Sequence, residues 1–369
     1  MIYLDYAANT PVEKEVLDDF VKATKKYIAN PNSSHTIGRE AKEAIDDVSK
    51  VIAKFFDMDK EGVIYTSGAS ESNNLVLKGI AELNKDKGNK IIISAVEHSS
   101  IVAPCNYLAS HGFDVSVIPL TSDGTVDLEE LKKELDDNTI LVSICAVDSE
   151  LGTVQPIKEI SKIVKKYPNV VFHTDATQAI GKVIMDFGDV DFLTFAPHKF
   201  FGLNGFGVLL NRHNIKLSPI IHGGKSTTVF RSGTPVTANV IALGTAFKMA
   251  TVTLDKRYEY ISTLNKTLRD FFKTLDYVHI NSPEHAIPNT LNISLVGKNH
   301  KKILKELEEA EIYLSTTTAC ALGSAPSKSV LAITGSEELA KNTIRISLAY
   351  KTTEKEIEKF MKVFKKITK

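Results

Sequence analysis

The sequence predicts an α/β protein: a large domain built on a doubly wound, mostly parallel sheet, joined to a smaller α+β domain. Three observations lead there. Between about residues 60 and 210, short runs rich in β-branched residues alternate with helical stretches, which is the βαβ signature. After residue 235 the texture changes to one long amphipathic stretch, about 237–275, followed by shorter strand-like pieces. The chain has 369 residues and is 43% hydrophobic, enough for a large core and about two domains.

Taken in order, the segment Met1–Asn9 reads as a strand able to return to either domain. The alternating region offers strands at 62–66, 90–94, 113–118, 139–144, 170–173, 192–195 and 207–210. A helix is expected over Ser72–Asn84, just after Tyr65-Thr-Ser-Gly-Ala-Ser-Glu71. Asp123-Gly124 makes a turn, and Asp127-Leu-Glu-Glu130 then reads as a capping box opening another helix. Pro156 stands where the next helix should begin. Further on, Thr290–Val296 and Thr343–Leu348 are strand-like, and a terminal helix is expected at about 353–368. These readings divide the chain into a large domain, 11–245, and a smaller one made of 1–10 with 246–369.

Lysine plus arginine equals aspartate plus glutamate at 45 each, so the net charge is zero and no nucleic-acid footprint is expected. The longest apolar runs, such as Ile140–Val147, are strand-sized and too short to span a bilayer. The first residues carry neither a basic nor an apolar leader segment, so no secretory signal is expected. Three cysteines, Cys105, Cys145 and Cys320, show no CxxC spacing. That argues against a disulfide framework or a metal site and suits a reducing cytoplasm.

The chemistry concentrates at strand ends, where open α/β sheets place their ligand crevices. Asp175 closes one apolar run and the pair His198-Lys199 closes the next. An acid that keeps a ring nitrogen protonated, and a lysine amine that forms a Schiff base, are what pyridoxal phosphate (PLP) chemistry needs. Gln178 lies one short turn beyond Asp175, so the two can serve the ring nitrogen and the phenolic oxygen of one ring. His98 follows the strand at 90–94, where an imidazole can stack on a flat cofactor and exchange protons. Ser149 and Glu150 end the run at 140–147. Helix N–H groups after Ser67-Gly68, with the Ser70 hydroxyl, can cradle a phosphate. Gly223-Gly-Lys-Ser-Thr227 is not a P-loop, because Pro219 occupies the position of the first required glycine. Cys145 reads as core and Cys105 as a helix-start residue without partners. Cys320, in the small polar run Ser315–Ser327, is expected to be exposed and mobile, and reads either as a reactive thiol or as a structural one.

The ordered set of motifs resembles the NifS/IscS-type cysteine desulfurases, in the class V aminotransferase group of fold-type I PLP enzymes. The matches run from Tyr3-Leu-Asp-Tyr-Ala-Ala-Asn-Thr10 to Thr343-Ile-Arg-Ile-Ser-Leu348. Between them lie Thr66–Asn74, Glu97-His98, Glu150–Gln155, His173–Gln178, His198-Lys199, Arg231-Ser-Gly-Thr234 and Ala319-Cys320.

The resemblance implies that Lys199 carries PLP, Asp175 pairs with the pyridinium, Gln178 meets the phenolic oxygen and His98 stacks on the ring. Ala69, Ser70 and His198 would hold the phosphate, with Thr234 contributed by the other subunit of a homodimer. Arg345 and Asn30 would grip the carboxylate of L-cysteine, and Cys320 would accept its sulfur as a persulfide, leaving L-alanine. A protein acceptor, an iron–sulfur scaffold or a tRNA-thiolation protein, would then take the sulfur. The alternative is a selenocysteine lyase or another PLP-dependent C–S lyase that does not need Cys320. Some positions depart from the family pattern: Ser149 stands in place of an asparagine that usually touches the cofactor, Ala196 replaces a serine, and Leu203-Asn204 replaces Pro-Lys. Gly224–Thr228 also differs, and Lys225 and Ser226 are expected to compensate near the phosphate.

Overall fold

The computed structural model describes residues 1–224, 226–316 and 326–369. In chain order its strands are β1 (Ile2–Tyr3), β2 (Val63–Thr66), β3 (Lys90–Ser94), β4 (Asp114–Ile118), β5 (Thr139–Ser143) and β6 (Val171–Asp175). They continue with β7 (Phe192–Phe195), β8 (Gly207–Asn211), β9 (Val278–Ile280), β10 (Thr290–Leu295), β11 (Ile312–Tyr313) and β12 (Thr343–Ser347). The seven strands expected from the alternating region form one sheet, in the order β2-β8-β7-β6-β5-β3-β4. Only β8 runs antiparallel to its neighbours within that sheet.

Both faces of this sheet are covered, so its central strands are apolar on both sides. The period of two sorts them. Ile92, Val142, Phe172, Leu193 and Val208 pack into one core cluster, while Ile91, Leu141, Val171, Phe192 and Leu209 pack into the cluster on the opposite face. From β3 the chain steps outward to β4, then returns to lay β5 on the other side of β3. The direction of winding therefore reverses between β3 and β5, which opens a crevice at their carboxyl ends.

A separate cluster gathers Ile2 and Leu4 with residues from Ile261 to Phe364. Here β10 is flanked by antiparallel β9 and β12. The N-terminal strand returns to this part of the chain: β1 pairs with β11, and Asp5 bridges Ser347.

Four local expectations need correcting. Cys105, expected at a helix start, lies inside the Ser99–Ala109 helix. The single stretch at 237–275 is two helices, Thr237–Val252 and Leu254–Phe272, bent by 65°. The break falls in Thr251-Val-Thr253, where the Thr251 and Thr253 hydroxyls bond back to the Phe247 and Met249 carbonyls, an arrangement that bends helices. The helix expected from Ser72 starts at Ala69. Asp127 does cap its helix through Glu129 N and Glu130 N, but the Glu130 side chain goes to Lys133 instead of closing a capping box.

Candidate active site

A cavity of about 360 Å³ lies over the carboxyl ends of β3, β5, β6 and β7. It is lined by Ala69, Ser70, His98, Ser149 and Asp175, and by Gln178, His198, Lys199 and Arg345. Nine of the residues expected to serve one site thus face one space. Asp175, ending β6, and Lys199, just after β7, both open into it.

Each wall has a local cause. Asp175 is the last residue of β6, and a short helix, Pro197–Lys199, follows β7 and presents His198 and Lys199. The Asp175 carboxylate is held on both oxygens: Asn73 Nδ2 donates to Oδ2 at 2.8 Å and Thr177 N donates to Oδ1 at 2.9 Å. His98 caps the Ser99–Ala109 helix, with Nδ1 accepting from Ser100 N at 3.1 Å and lying 2.8 Å from Ser100 Oγ. Burial lowers the His98 pKa, partly opposed by Asp175 and assisted by Lys199, which favours a neutral ring. His198 is pushed down to about 4 by burial and by the positive charges of Lys199 and Lys182.

Lys199 Nζ donates to the backbone carbonyls of Ala7 at 2.9 Å and Ala8 at 2.6 Å. Gln178 Nε2 donates to the same Ala7 carbonyl at 3.0 Å, and Lys182 donates to Gln178 Oε1. The N-terminal segment is therefore part of the site, because Thr10 also bonds the His198 carbonyl through both its N and its Oγ1.

At the other end of the cavity, the Ala69–Asn84 helix begins without a side-chain cap. A Cβ built on Gly68 would meet nothing within 4 Å, so the space before the helix start is open. Glu71 also lines this end, its carboxylate pairing with Arg231 at 2.8 Å and accepting from Ser67 N at 2.7 Å. Burial alone would raise the Glu71 pKa, but those bonds outweigh it and hold the carboxyl below its ordinary value.

Arg345, on β12, is 1% exposed and closes the cavity beside Ser149. Its Nη1 donates to the Ser149 carbonyl at 3.0 Å and its Nη2 pairs with Asp5 at 3.0 Å. Its buried Nε has no protein partner among the described residues. A guanidinium held this way is suited to a carboxylate.

Two expected residues lie apart from the cavity in the single chain. Asn30 is exposed, and its Oδ1 accepts from Asn32 N within its own turn. Thr234 is also exposed, on a segment that does not line the cavity. Ser226 bonds the Gly233 carbonyl instead of facing the phosphate end. Cys320 and Lys225 lie outside the described residues. Cys145, read as inert core, lines the cavity, although burial pushes its thiol pKa well up.

The sequence reading gave no role to Asn73, to the Ala7 and Ala8 carbonyls, to Asp5 or to Lys182. Asn73 lies inside the quoted Thr66–Asn74 motif, and that was the available signal. The others act across the fold and leave no local trace. His173 is structural: it is fully buried, its nitrogens lie against Ser143 and Thr194 hydroxyls, and burial lowers its pKa to about 4.

The residues present fit PLP. An uncapped helix start with open space before it suits a phosphate. A neutral imidazole suits a flat ring, a doubly braced acid suits a pyridinium nitrogen, and an amine lies across from it.

Comparison with known proteins agrees. The chain belongs to the class-V aminotransferase family, whose model matches residues 2–360, and that family is PLP-dependent. It is 38% identical to the cysteine desulfurase IscS of Dictyoglomus turgidum, over 99% of this chain and 94% of that protein. It is 36% identical to a mitosomal cysteine desulfurase of Encephalitozoon cuniculi, over 98% of this chain and 84% of the relative. Among solved structures, a NifS-like protein superposes with a TM-score of 0.93 at 32% identity, covering 100% of this chain and 99% of the other. SspA in complex with cysteine superposes with a TM-score of 0.84 at 31% identity, covering 96% and 100%. Within the class-V family, the chain falls in the NifS/IscS-type cysteine desulfurase group.

Proposed function

We propose that this protein is a PLP-dependent cysteine desulfurase that converts L-cysteine to L-alanine and passes the sulfur, as a persulfide, to Cys320. The observation that carries the reading is the convergence of Lys199, Asp175 and the buried Arg345 on one cavity. An amine, a ring acid and a carboxylate clamp together describe a site for an amino acid bound to PLP.

Ala69, Ser70 and the helix start would hold the phosphate, His98 and Gln178 the ring, and Asp175 the ring nitrogen. When bound, PLP supplies an electron sink for the pair released at the substrate Cα. The protein supplies the rest. Arg345 fixes the substrate carboxylate, and Asp5 and the Ser149 carbonyl hold the guanidinium in place. Lys199 moves the Cα proton, a role that typically contributes ~10²–10⁴-fold. The neutral His98 ring stands in the cavity as a second proton carrier. The Cys320 thiolate then attacks the substrate sulfur. The S–S bond forms, the Cβ–S bond breaks, and Cβ takes the electron pair and a proton to become the alanine methyl group.

The persulfide passes to a protein acceptor, an iron–sulfur scaffold or a tRNA-thiolation protein. We take the enzyme to be a homodimer in which Thr234 completes the partner's phosphate site. Its support is the exposed apolar side chains Leu17, Val51 and Phe55, on the two helices Lys14–Lys26 and Thr36–Phe55 that both pack on the Thr237–Val252 helix. The two described cysteines are free and buried, which suits a cytoplasmic enzyme. We divide the chain into 11–245 and 1–10 with 246–369; two separate core clusters support two units, with Ala246, Phe247 and Ala250, just past that boundary, packing in the large one.

The test is to measure alanine and sulfide from L-cysteine with a thiol reductant present. Wild type should make both, and Cys320→Ala should lose persulfide formation. A Cys320→Ala protein with full turnover would favour the thiol-independent lyase, and a protein that binds no PLP would end the proposal.

A further inference from the structure

Lys182 is a lysine 7% exposed, seven residues beyond Asp175, with its ammonium group next to the cofactor lysine. Burial, Lys199 and Arg345 all push its pKa down. A lysine placed in such surroundings costs stability unless its head group has work to do. Among the described residues its head group donates to Gln178 Oε1.

That contact has a consequence for the opposite end of the amide. Gln178 Nε2 already donates one hydrogen to the Ala7 carbonyl at 3.0 Å. The reversed amide would set its oxygen against the Ala7 carbonyl oxygen and its NH2 hydrogens against the Lys182 amine. Ala7, whose carbonyl can only accept, holds the side chain from one end, and Lys182 from the other while its head group is an ammonium that can only donate. Gln178 lines the main cavity, and its second Nε2 hydrogen is left for a ligand there.

We propose that Lys182 is a positioning residue that locks the Gln178 amide so that an N–H, and not the carbonyl oxygen, meets the phenolic oxygen of bound PLP. This rests on the reading that Gln178 serves that oxygen. Lys182 also lines a cavity of about 20 Å³ behind Lys199, room for one water. The two cavities share Lys199.

A donor at the phenolic oxygen stabilises its anion. Losing the donor raises the pH at which the bound-cofactor absorption band titrates, by roughly 0.4–1.1 for one ordinary hydrogen bond. The experiment is a spectral titration of PLP-loaded wild type, Lys182→Met, Gln178→Ala and the double variant, with thermal melts of the apoproteins alongside. Both single variants should titrate at higher pH than wild type, and the double variant no higher than Gln178→Ala. A Lys182→Met band that titrates with wild type, while Gln178→Ala is shifted, overturns the proposal and leaves the Gln178 contact standing. A Gln178→Ala band that matches wild type overturns both. Should Lys182→Met not fold, Lys182→Ala, which leaves space for a water beside the small cavity, is titrated in its place. A lysine serving only the fold would lower the apoprotein melting temperature without moving the band.

Discussion

Asn73 offers the sharpest test of how this site is braced. Its Nδ2 donates at 2.8 Å to Asp175 and at 2.9 Å to Ser100 Oγ, and the residue is fully buried. Asn73→Ala takes away a fixed donor on the Asp175 carboxylate, leaving Thr177 N among the described residues. A hydrogen bond to a charged group contributes about 1.5–3 kcal/mol. At 1.36 kcal/mol per tenfold, full expression of that loss in the transition state lowers kcat by about 10- to 150-fold. Cysteine KM should change little, because the carboxylate clamp at Arg345 is built by Asp5 and Ser149 instead. Asn73→Asp should be worse than Asn73→Ala, since a second carboxylate beside Asp175 raises the proton affinity of both. The assay is alanine formation from L-cysteine at saturating PLP, with bound PLP counted by absorbance. PLP-saturated Asn73→Ala within twofold of wild type, or Asn73→Asp more active than Asn73→Ala, would refute the bracing argument.

Other substitutions probe the remaining contacts. The Glu97 carboxyl is raised from an ordinary 4.5 to about 8 by burial, so the native state keeps a proton that the unfolded chain gives up above 4.5. Wild-type stability should fall as pH rises through that window, and Glu97→Gln should escape the fall. Melting temperatures should therefore diverge in favour of the variant toward pH 8, and a constant gap would contradict the assignment. Arg345→Lys loses the two-pronged hold by Asp5 and the Ser149 carbonyl, so cysteine KM should rise about tenfold or more while the cofactor band stays put. An unchanged KM would move the carboxylate site elsewhere. Arg231→Ala strands Glu71, whose side chain is 9% exposed, and should cost about 1–3 kcal/mol in chemical denaturation. A variant as stable as wild type would show that the pair adds nothing to the helix start.

How far the molecule could be read from its sequence depends on the range of the forces involved. The β-branched runs of β3, β5, β6 and β7 are local signals, and all of them became buried strands. Asp175, His98 and Lys199 were visible because strand ends converge in any doubly wound sheet. The reach of Lys199 to Ala7 and Ala8 was not visible, since those partners are 192 and 191 residues away. Nothing near Asp5 announces that it pairs with Arg345 across 340 residues. The break at Thr253 was missed for another reason. The apolar pattern continues through it, and only the back-bonding threonines mark the bend. Cys145 was taken for core because its run is apolar, yet the run overshoots β5, which ends at Ser143, and carries the thiol to the cavity wall.

The way residues 2–8 are anchored bears on how the enzyme is made. Those residues are synthesised about 300 residues before their partners at Glu311–Tyr313 and Ser347. The cavity floor formed by the Ala7 and Ala8 carbonyls is therefore set late, after the sheet behind it has been completed. A bulky fusion joined ahead of Ile2 would hinder that final seating and dim the catalyst without touching a single reacting atom.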